Sequence, residues 1–188
     1  MNNTAPQQVS ASDKKRRSLP IVLVDVDALV DLSPWEHLAQ ERQWEDFFSH
    51  IPQAQARDND IPALLELAKT DGCWIGYTCR WRPDYRDDVY TWMDAHDLPR
   101  GALYMRSTEK MDASGLVIRH ARFIAKKTEN RRPVFIIHND NDVAATLRKK
   151  GLAALGASQI PQTVKEFRAI LQHARMVPTT PKPKKKEA

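Results

Sequence analysis

The chain has 188 residues and a formal net charge of +5, and this length suits one domain with an ordinary hydrophobic core. It contains no apolar run long enough to span a membrane and no secretory signal, so we expect a soluble, cytoplasmic protein. Two cysteines are too few for a disulfide scaffold, and we expect both to be reduced, with Cys73 in the core.

The positive charge is concentrated at the two ends of the chain. Residues 1–18 carry a net +3 and residues 177–188 another +3, so the residues between them sum to −1. Both ends contain Pro, Ser, Thr or Gln among the basic residues, which is typical of disorder. We therefore predict disordered basic tails at 1–18 and 177–188 around a folded domain at 19–176. Such tails either attract nucleic acid regardless of its sequence or serve only solubility.

The first predicted element is a strand over residues 21–24 that ends in Asp25-Val26-Asp27. A β-branched run of this kind indicates a buried parallel strand, whose carboxyl end opens into the crevice where open α/β sheets bind ligands. One carboxylate could attack while the other transfers protons, or both could hold a hard cation such as Mg²⁺. The alternative is a strand end capped by solvated acids.

A helix is predicted next, over residues 33–50. Ser33 to Glu36 form a capping box with proline at the first helical position, so the helix would begin there and form a small cap beside the acidic pair. We expect its aromatic residues to pack into the core; they are Trp35, Trp44, Phe47 and Phe48.

Helices and strands then alternate to the end of the folded region. Asp60 is predicted to cap a helix over 61–70, and Gly72 is predicted to terminate it. A strand over 73–78 follows and ends on Thr78. The later elements are a helix from Pro83 to about Leu98, a strand over 102–105, a helix through Leu116 and Ile124, a strand over 133–137, a helix ending at Gly151, and a last helix capped by Thr163 that runs to about Arg175. This order predicts an α/β fold: a single Rossmann-like three-layer domain with a mainly parallel sheet and a small helical cap insertion.

Three of the predicted strands end in residues that can carry chemistry. Asp25 and Asp27 follow the first strand, Thr78 ends the second, and residues 138–142 follow the fourth. Because the carboxyl ends of parallel strands share one edge of a sheet, these residues are expected to converge. Arg119, on the helix before the fourth strand, is predicted to reach the same point. Carboxylates, a hydroxyl and a cation around one crevice suit phosphoryl transfer.

The order of these motifs resembles that of the haloacid dehalogenase-type phosphatases, and most closely the phosphatase domain of the bacteriophage-type polynucleotide kinase-phosphatases. The resemblance covers residues 19–159. Besides the acidic pair, it is carried by the Trp44-Glu45-Asp46-Phe47-Phe48 block, by Thr78-Cys79-Arg80-Trp81-Arg82-Pro83, which is similar to the family's Thr/Ser-Gly-Arg-Pro turn, by Trp92, Leu98-Pro99 and Leu103-Tyr104-Met105-Arg106, and by the spacing from Ile137 to Gly151.

The resemblance implies hydrolysis of a phosphomonoester on a polynucleotide 3′-end or a nucleotide, with Mg²⁺ as cofactor. Asp25 would attack phosphorus and form an aspartyl-phosphate, while Asp27 would protonate the leaving alcohol and then activate water. Thr78 would hydrogen-bond the phosphate oxygens, and Arg119 aligns with the phosphate-binding lysine. Substrate phosphate or base could be contacted by Arg80, Arg82 or Arg106, since a guanidinium binds phosphate bidentately.

The chain departs from the family pattern in two motifs besides Arg119. Ala28 and Leu29 stand where the family has Gly-Thr, and the family's Asp-Asp pair aligns with His138 and Asn139. The implied metal ligands are Asp25, Asp27, His138, Asn139 and Asp142. A neutral imidazole among them weakens a Mg²⁺ site and favours a softer divalent ion such as Mn²⁺, Co²⁺ or Zn²⁺. The alternative is a metal-free cleft in which His138 hydrogen-bonds an aspartate, within an inactive module that binds nucleic acid or a protein partner.

Overall fold

A computed structural model of the protein describes residues 19–107, 111–161 and 163–178. The predicted basic tails lie outside these ranges, apart from residues 177 and 178. No helix within the described ranges is long and apolar enough to cross a membrane.

The described residues form an α/β fold around a five-stranded parallel sheet with the strand order β5-β4-β1-β6-β7. The strands are β1 (Ile21–Asp25), β2 (Val30–Asp31), β3 (Gln55–Ala56), β4 (Trp74–Cys79), β5 (Ala102–Met105), β6 (Val134–His138) and β7 (Ala153–Gly156). The helices are α1 (Glu36–Gln40), α2 (Trp44–Ser49), α3 (Ile61–Thr70), α4 (Arg86–Ala95), α5 (Ala113–Lys127), α6 (Asn141–Lys149) and α7 (Val164–Leu171).

Helices cover both faces of the sheet. Side chains of successive strand residues point to opposite faces, so β1 contributes to a core cluster on each side. Ile21 and Leu23 of β1 pack in one core cluster with residues of α5 and α6. Val22 and Val24 pack in the other cluster with residues of α3, α4 and α7. The predicted three-layer α/β architecture is thereby confirmed.

The chain reverses its direction of travel across the sheet at β1. From β1 it continues outward to β4 and β5, and then returns to place β6 on the other side of β1. In open α/β sheets such a reversal leaves a crevice at the carboxyl ends of the two strands, and ligands bind there. Here the crevice lies between the ends of β1 and β6.

The insertion after β1 differs from its prediction. The single helix over 33–50 is wrong: two short helices, α1 and α2, are separated at Arg42, whose φ of 61° is incompatible with a continuous helix. Ser33 does not cap a helix, and its backbone N–H donates to Asp31 instead. Phe47 and Phe48 are buried as expected, but Trp44 is half exposed.

Three other local predictions need correction. Asp60 makes no capping hydrogen bond, and the Asn59 side chain accepts from the Ile61 N–H in its place. Strand β7 was not predicted, because the short Ala-Ala-Leu-Gly run has low strand propensity and is held by pairing with β6. Helix α7, capped by Thr163 as predicted, ends at Leu171 instead of near residue 175.

The packed part of the chain also continues past the predicted domain boundary at residue 176. Arg175 forms an isolated antiparallel bridge with Val134 at the start of β6. Val177 is buried in the same core cluster as α5 and α6. The last described residues therefore belong to the folded domain.

Candidate functional site

Three polar side chains from adjacent strands meet on one face of the sheet. Asp25 ends β1 and is the register partner of Thr78 on β4. Val24 pairs with Ile137, so His138 follows beside Asp25 on the other side. The three side chains face α5 and α6, and all three are buried. The predicted convergence of the strand ends is therefore observed for these residues.

Asp25 is held by backbone N–H groups on both of its carboxylate oxygens. Its Oδ1 accepts from the Asp27 N–H at 3.3 Å, and its Oδ2 accepts from the Asn139 N–H at 3.2 Å. Burial raises the pKa of Asp25 to about 6, and the two N–H groups oppose that rise. The carboxylate is therefore fixed in orientation and ionises near neutral pH.

Asp27 lies in the 3-10 turn after β1 and is bound to an arginine. Its Oδ2 lies 2.6 Å from Nε of Arg80. Burial, followed by the charge of Asp25, raises the pKa of Asp27 to about 7, while Arg80 opposes the rise. A carboxyl group with this pKa can both give and take a proton near neutral pH, as a general acid-base catalyst must.

The two ring nitrogens of His138 have different partners. Nδ1 accepts a hydrogen bond from the Asp140 N–H at 2.9 Å, so the proton of the neutral ring lies on Nε2. Nε2 is 3.4 Å from Oδ2 of Asp25. Burial lowers the pKa of His138 below its ordinary value, so the ring is neutral near pH 7. His138 therefore directs an N–H, and no lone pair, toward Asp25.

The residues predicted to bind a metal make other contacts in this arrangement. Protein donors already face Oδ2 of Asp25 and Oδ2 of Asp27, and the Asp27 carbonyl oxygen accepts from Nε of Arg57 at 2.9 Å. Asn139 and Asp142 are exposed, and His138 offers no free lone pair. Across the described ranges, no group of three or more His, Cys, Asp or Glu side chains could hold a metal ion.

Thr78 has a partner that its sequence motif does not indicate. Its Oγ1 lies 2.7 Å from Nδ1 of His120, a buried residue of α5. Burial lowers the pKa of His120 to about 4, so this ring is neutral too. The signal was present in the helical spacing, because His120 shares the buried face of α5 with Val117 and Ile124.

Arg119 does not join this cluster. It is exposed, and it lines a cavity with Arg122 and Lys150 away from Thr78. One helical residue corresponds to a rotation of about 100°, so Arg119 and its neighbour His120 point in different directions. The cations beside the acidic pair are instead Arg80 and Arg57. No sequence signal singled out Arg57, which follows β3.

The other predicted substrate-binding arginines lie on the loops that follow β4 and β5. The side chain of Arg82 is exposed and pairs with Asp84 at 2.8 Å. Arg106 follows the end of β5, and its backbone N–H donates to the Trp81 carbonyl. Both loops begin at the same rim of the sheet as Asp25.

Ala28 and Leu29, at the position of the family's Gly-Thr, are packed into the core. Both residues are buried. The side-chain amide of Asn59 donates to the Ala28 carbonyl at 2.8 Å. This turn is therefore fixed by packing and by a side-chain hydrogen bond.

Comparison with known proteins identifies the fold. No protein-family model matches the chain, and no curated protein matches it. Among solved structures, the chain is similar to a class C acid phosphatase from Bacillus anthracis with tungstate bound, at a TM-score of 0.51 and 12% identity, over 88% of this chain and 92% of that one. The likeness agrees with the predicted three-layer α/β fold.

Proposed function

We propose that the protein hydrolyses phosphomonoesters, with Asp25 as the nucleophile. The observation that carries the proposal is the pair of carboxylates at the strand-order reversal, one held by backbone N–H groups and the other paired with Arg80 and with a pKa of about 7. The shared fold with an acid phosphatase adds support. A carboxylate at such a crevice can form a covalent intermediate when a second group manages the protons.

The reaction has two steps. An Asp25 oxygen attacks phosphorus, the bond from phosphorus to the ester oxygen breaks, and the Asp27 carboxyl gives its proton to the leaving alkoxide. Asp27, now ionised, takes a proton from water while the water oxygen attacks the phosphorus of the aspartyl-phosphate. Inorganic phosphate leaves, and both residues return to their starting states. Arg80 lies next to Asp27, where its guanidinium can stabilise charge on the phosphoryl oxygens.

We further propose a nucleotide or a polynucleotide 3′-end as the substrate. The tungstate named for the neighbouring structure is an oxyanion, as phosphate is, and we place an oxyanion at the rim between Asp25 and Arg80. Arg82 and Arg106 follow strands that end at this rim, and guanidinium groups suit a substrate with phosphates and a base. A requirement for Mg²⁺, or for Mn²⁺ or another divalent ion, stays a prediction, and no step above depends on it.

The proposal is tested by phosphate release from a 3′-phosphorylated oligonucleotide and from an aryl phosphate. The wild type is compared with Asp25→Asn, in EDTA and separately with Mg²⁺, Mn²⁺ or Co²⁺. Asp58→Asn is the matched control, because this exposed carboxylate lies outside the cluster. We expect turnover by the wild type and the control and none by Asp25→Asn.

One observation favours a second candidate, a non-enzymatic module that binds nucleic acid or a protein. His138 contacts the Asp25 carboxylate and Arg80 contacts the Asp27 carboxylate. Both carboxylates therefore have protein partners when no substrate is bound. If no condition in this assay gives wild-type turnover above Asp25→Asn, the second candidate replaces the first.

A further inference from the structure

A second cavity lies at the opposite end of the sheet from Asp25. It has a volume of about 520 Å³ and lies between the amino ends of β4 and β5 and the carboxyl end of α5. Trp74 begins β4, and Gly76, which has no side chain, follows it on the same face. The distance along β4 from Trp74 to Thr78 is about 13 Å at ~3.3 Å per residue. The cavity is therefore separate from the candidate active site.

Two aromatic side chains, Trp74 and Tyr104, line this cavity, and a third, Phe123, contacts Tyr104. Trp74 is 53% exposed, although it begins an interior strand, and Phe123 of α5 is 47% exposed. Tyr104 lines the cavity, and its ring centroid lies 5.9 Å from that of Phe123. Exposed rings at a concave surface are suited to stacking against another flat ring, because burying both faces removes apolar area from water.

Cations accompany these rings. The Arg132 guanidinium lies 3.9 Å from the Trp74 ring centroid and donates to the Leu19 carbonyl, so it holds one side of the indole. Lys127 lies over Phe123 at 5.3 Å. Arg131, which pairs with Glu129, lines the same cavity. Among the described residues that line it, three are basic and none is acidic.

Four more basic residues precede the described part of the chain in the sequence. Leu19, which Arg132 contacts, directly follows a segment that contains four basic residues at positions 14–17. A polyanion is therefore the complementary partner on grounds of charge. A partner that also carries a flat ring on each repeating unit matches the aromatic walls.

We propose that this aromatic-basic groove, formed by Trp74, Tyr104, Phe123, Lys127 and Arg131, binds single-stranded nucleic acid. Bases stack on Trp74 and Phe123, and backbone phosphates contact Lys127 and Arg131. Bases in a duplex are already stacked on one another, so the groove prefers single strands. This binding is independent of phosphate chemistry at Asp25.

The test measures binding of a labelled twelve-residue oligothymidylate to the full chain by fluorescence anisotropy at low salt. Trp74→Leu removes the stacking surface and keeps an apolar side chain. Trp44→Leu is the matched control, because Trp44 is exposed to a similar degree, 51%, in the cap insertion. We expect Trp74→Leu to weaken binding by about fivefold or more, as a lost base-aromatic stack does, and Trp44→Leu to leave it unchanged.

Two further measurements keep the result interpretable. Lys127→Ala is expected to reduce the slope of log binding constant against log salt by about one. Asp58→Asn, an exposed substitution outside the groove, should bind as the wild type does. The binding assay needs no turnover at Asp25, so a failure of the proposed phosphatase activity leaves this test intact. If Trp74→Leu does not fold, as judged by circular dichroism, Phe123→Leu takes its place.

Three outcomes would overturn the inference. The first is equal binding by Trp74→Leu and Trp44→Leu, which would assign the affinity to other basic segments. The second is equal affinity for the oligothymidylate and a duplex of the same length. The third is the absence of binding by the full chain at 50 mM salt, roughly the lower end of the range where phosphate contacts act strongly.

Discussion

Replacing the proposed nucleophile should make the metal-free protein more stable. Asp25 is buried, and its pKa is raised from 3.8 to about 6 despite the charges of Arg80 and Arg57. At ~1.4 kcal/mol for each pH unit, this corresponds to about 3 kcal/mol by which the folded state disfavours the ionised carboxylate. Asn carries no charge, so Asp25→Asn removes this cost.

Part of the gain is lost to hydrogen bonding. The Asp25 carboxylate accepts from two backbone N–H groups, those of Asp27 and Asn139, whereas an amide has one acceptor oxygen. A buried donor left unsatisfied costs about 1–2 kcal/mol. The expected net gain in the free energy of unfolding is therefore about 1–2 kcal/mol at pH 8. The pKa of Asp27 should also fall, because the charge of Asp25 contributes to its rise.

The sign of the pH dependence follows from the raised pKa. Above pH 6 the Asp25 carboxyl is ionised in both the folded and the unfolded chain, so the full cost is present. As the pH falls from 6 to 3.8, the folded state takes up the proton first and the cost disappears. The advantage of Asp25→Asn should therefore be largest at pH 8 and absent at pH 3.5.

The assay is urea denaturation of the wild type, Asp25→Asn and the control Asp58→Asn at pH 8 and pH 3.5. EDTA is present because a bound cation would offset the charge of Asp25. A lower stability of Asp25→Asn at pH 8, or a difference that does not change with pH, would refute the reasoning. Asp58→Asn should stay within about 0.5 kcal/mol of the wild type, as surface substitutions usually do.

Three other predictions concern neighbouring residues. His138→Asp replaces a protonated ring nitrogen with a carboxylate, an oxygen ligand that Mg²⁺ prefers. Mg²⁺ should therefore raise the midpoint of thermal unfolding of this variant more than that of the wild type. Equal shifts would contradict the assignment of the proton to Nε2. Arg80→Gln should raise the pKa of Asp27 further, because the charge of Arg80 lowers it. The alkaline limb of the pH profile of phosphate release should therefore move to higher pH, and an unmoved limb would show that Asp27 is not the acid. The Thr78 to His120 contact should give a coupling of about 1 kcal/mol in a double-mutant cycle of Thr78→Val and His120→Leu by urea denaturation, and additive effects would exclude it.

Much of the site could be predicted from short-range patterns. The apolar run before Asp25 predicted a central strand, and Gly72 and Gly151, both with positive φ, mark the ends of the helices predicted before them. Thr78 and His138 fall on the ends of β4 and β6, so their meeting with Asp25 follows from parallel strand order alone. The insertion was harder, because the left-handed Arg42 that divides its helices is an ordinary residue with no sequence signal.

The sequence by itself determined most of the helices and strands and which strand ends share a rim, because the hydrophobic period is a local property and alternating helices and strands favour a parallel sheet. Only the tertiary structure decided that His120, and not Arg119, faces Thr78, since the rotation of α5 is set by how its apolar face packs on the sheet. It also decided that the Asp140 N–H donates to Nδ1 of His138, which places the Nε2–H of that ring next to Asp25. The acidic pair was visible in the chain, but donors such as Arg57 and Asn139 lie 30 and 114 positions away in the sequence and are brought to it by folding.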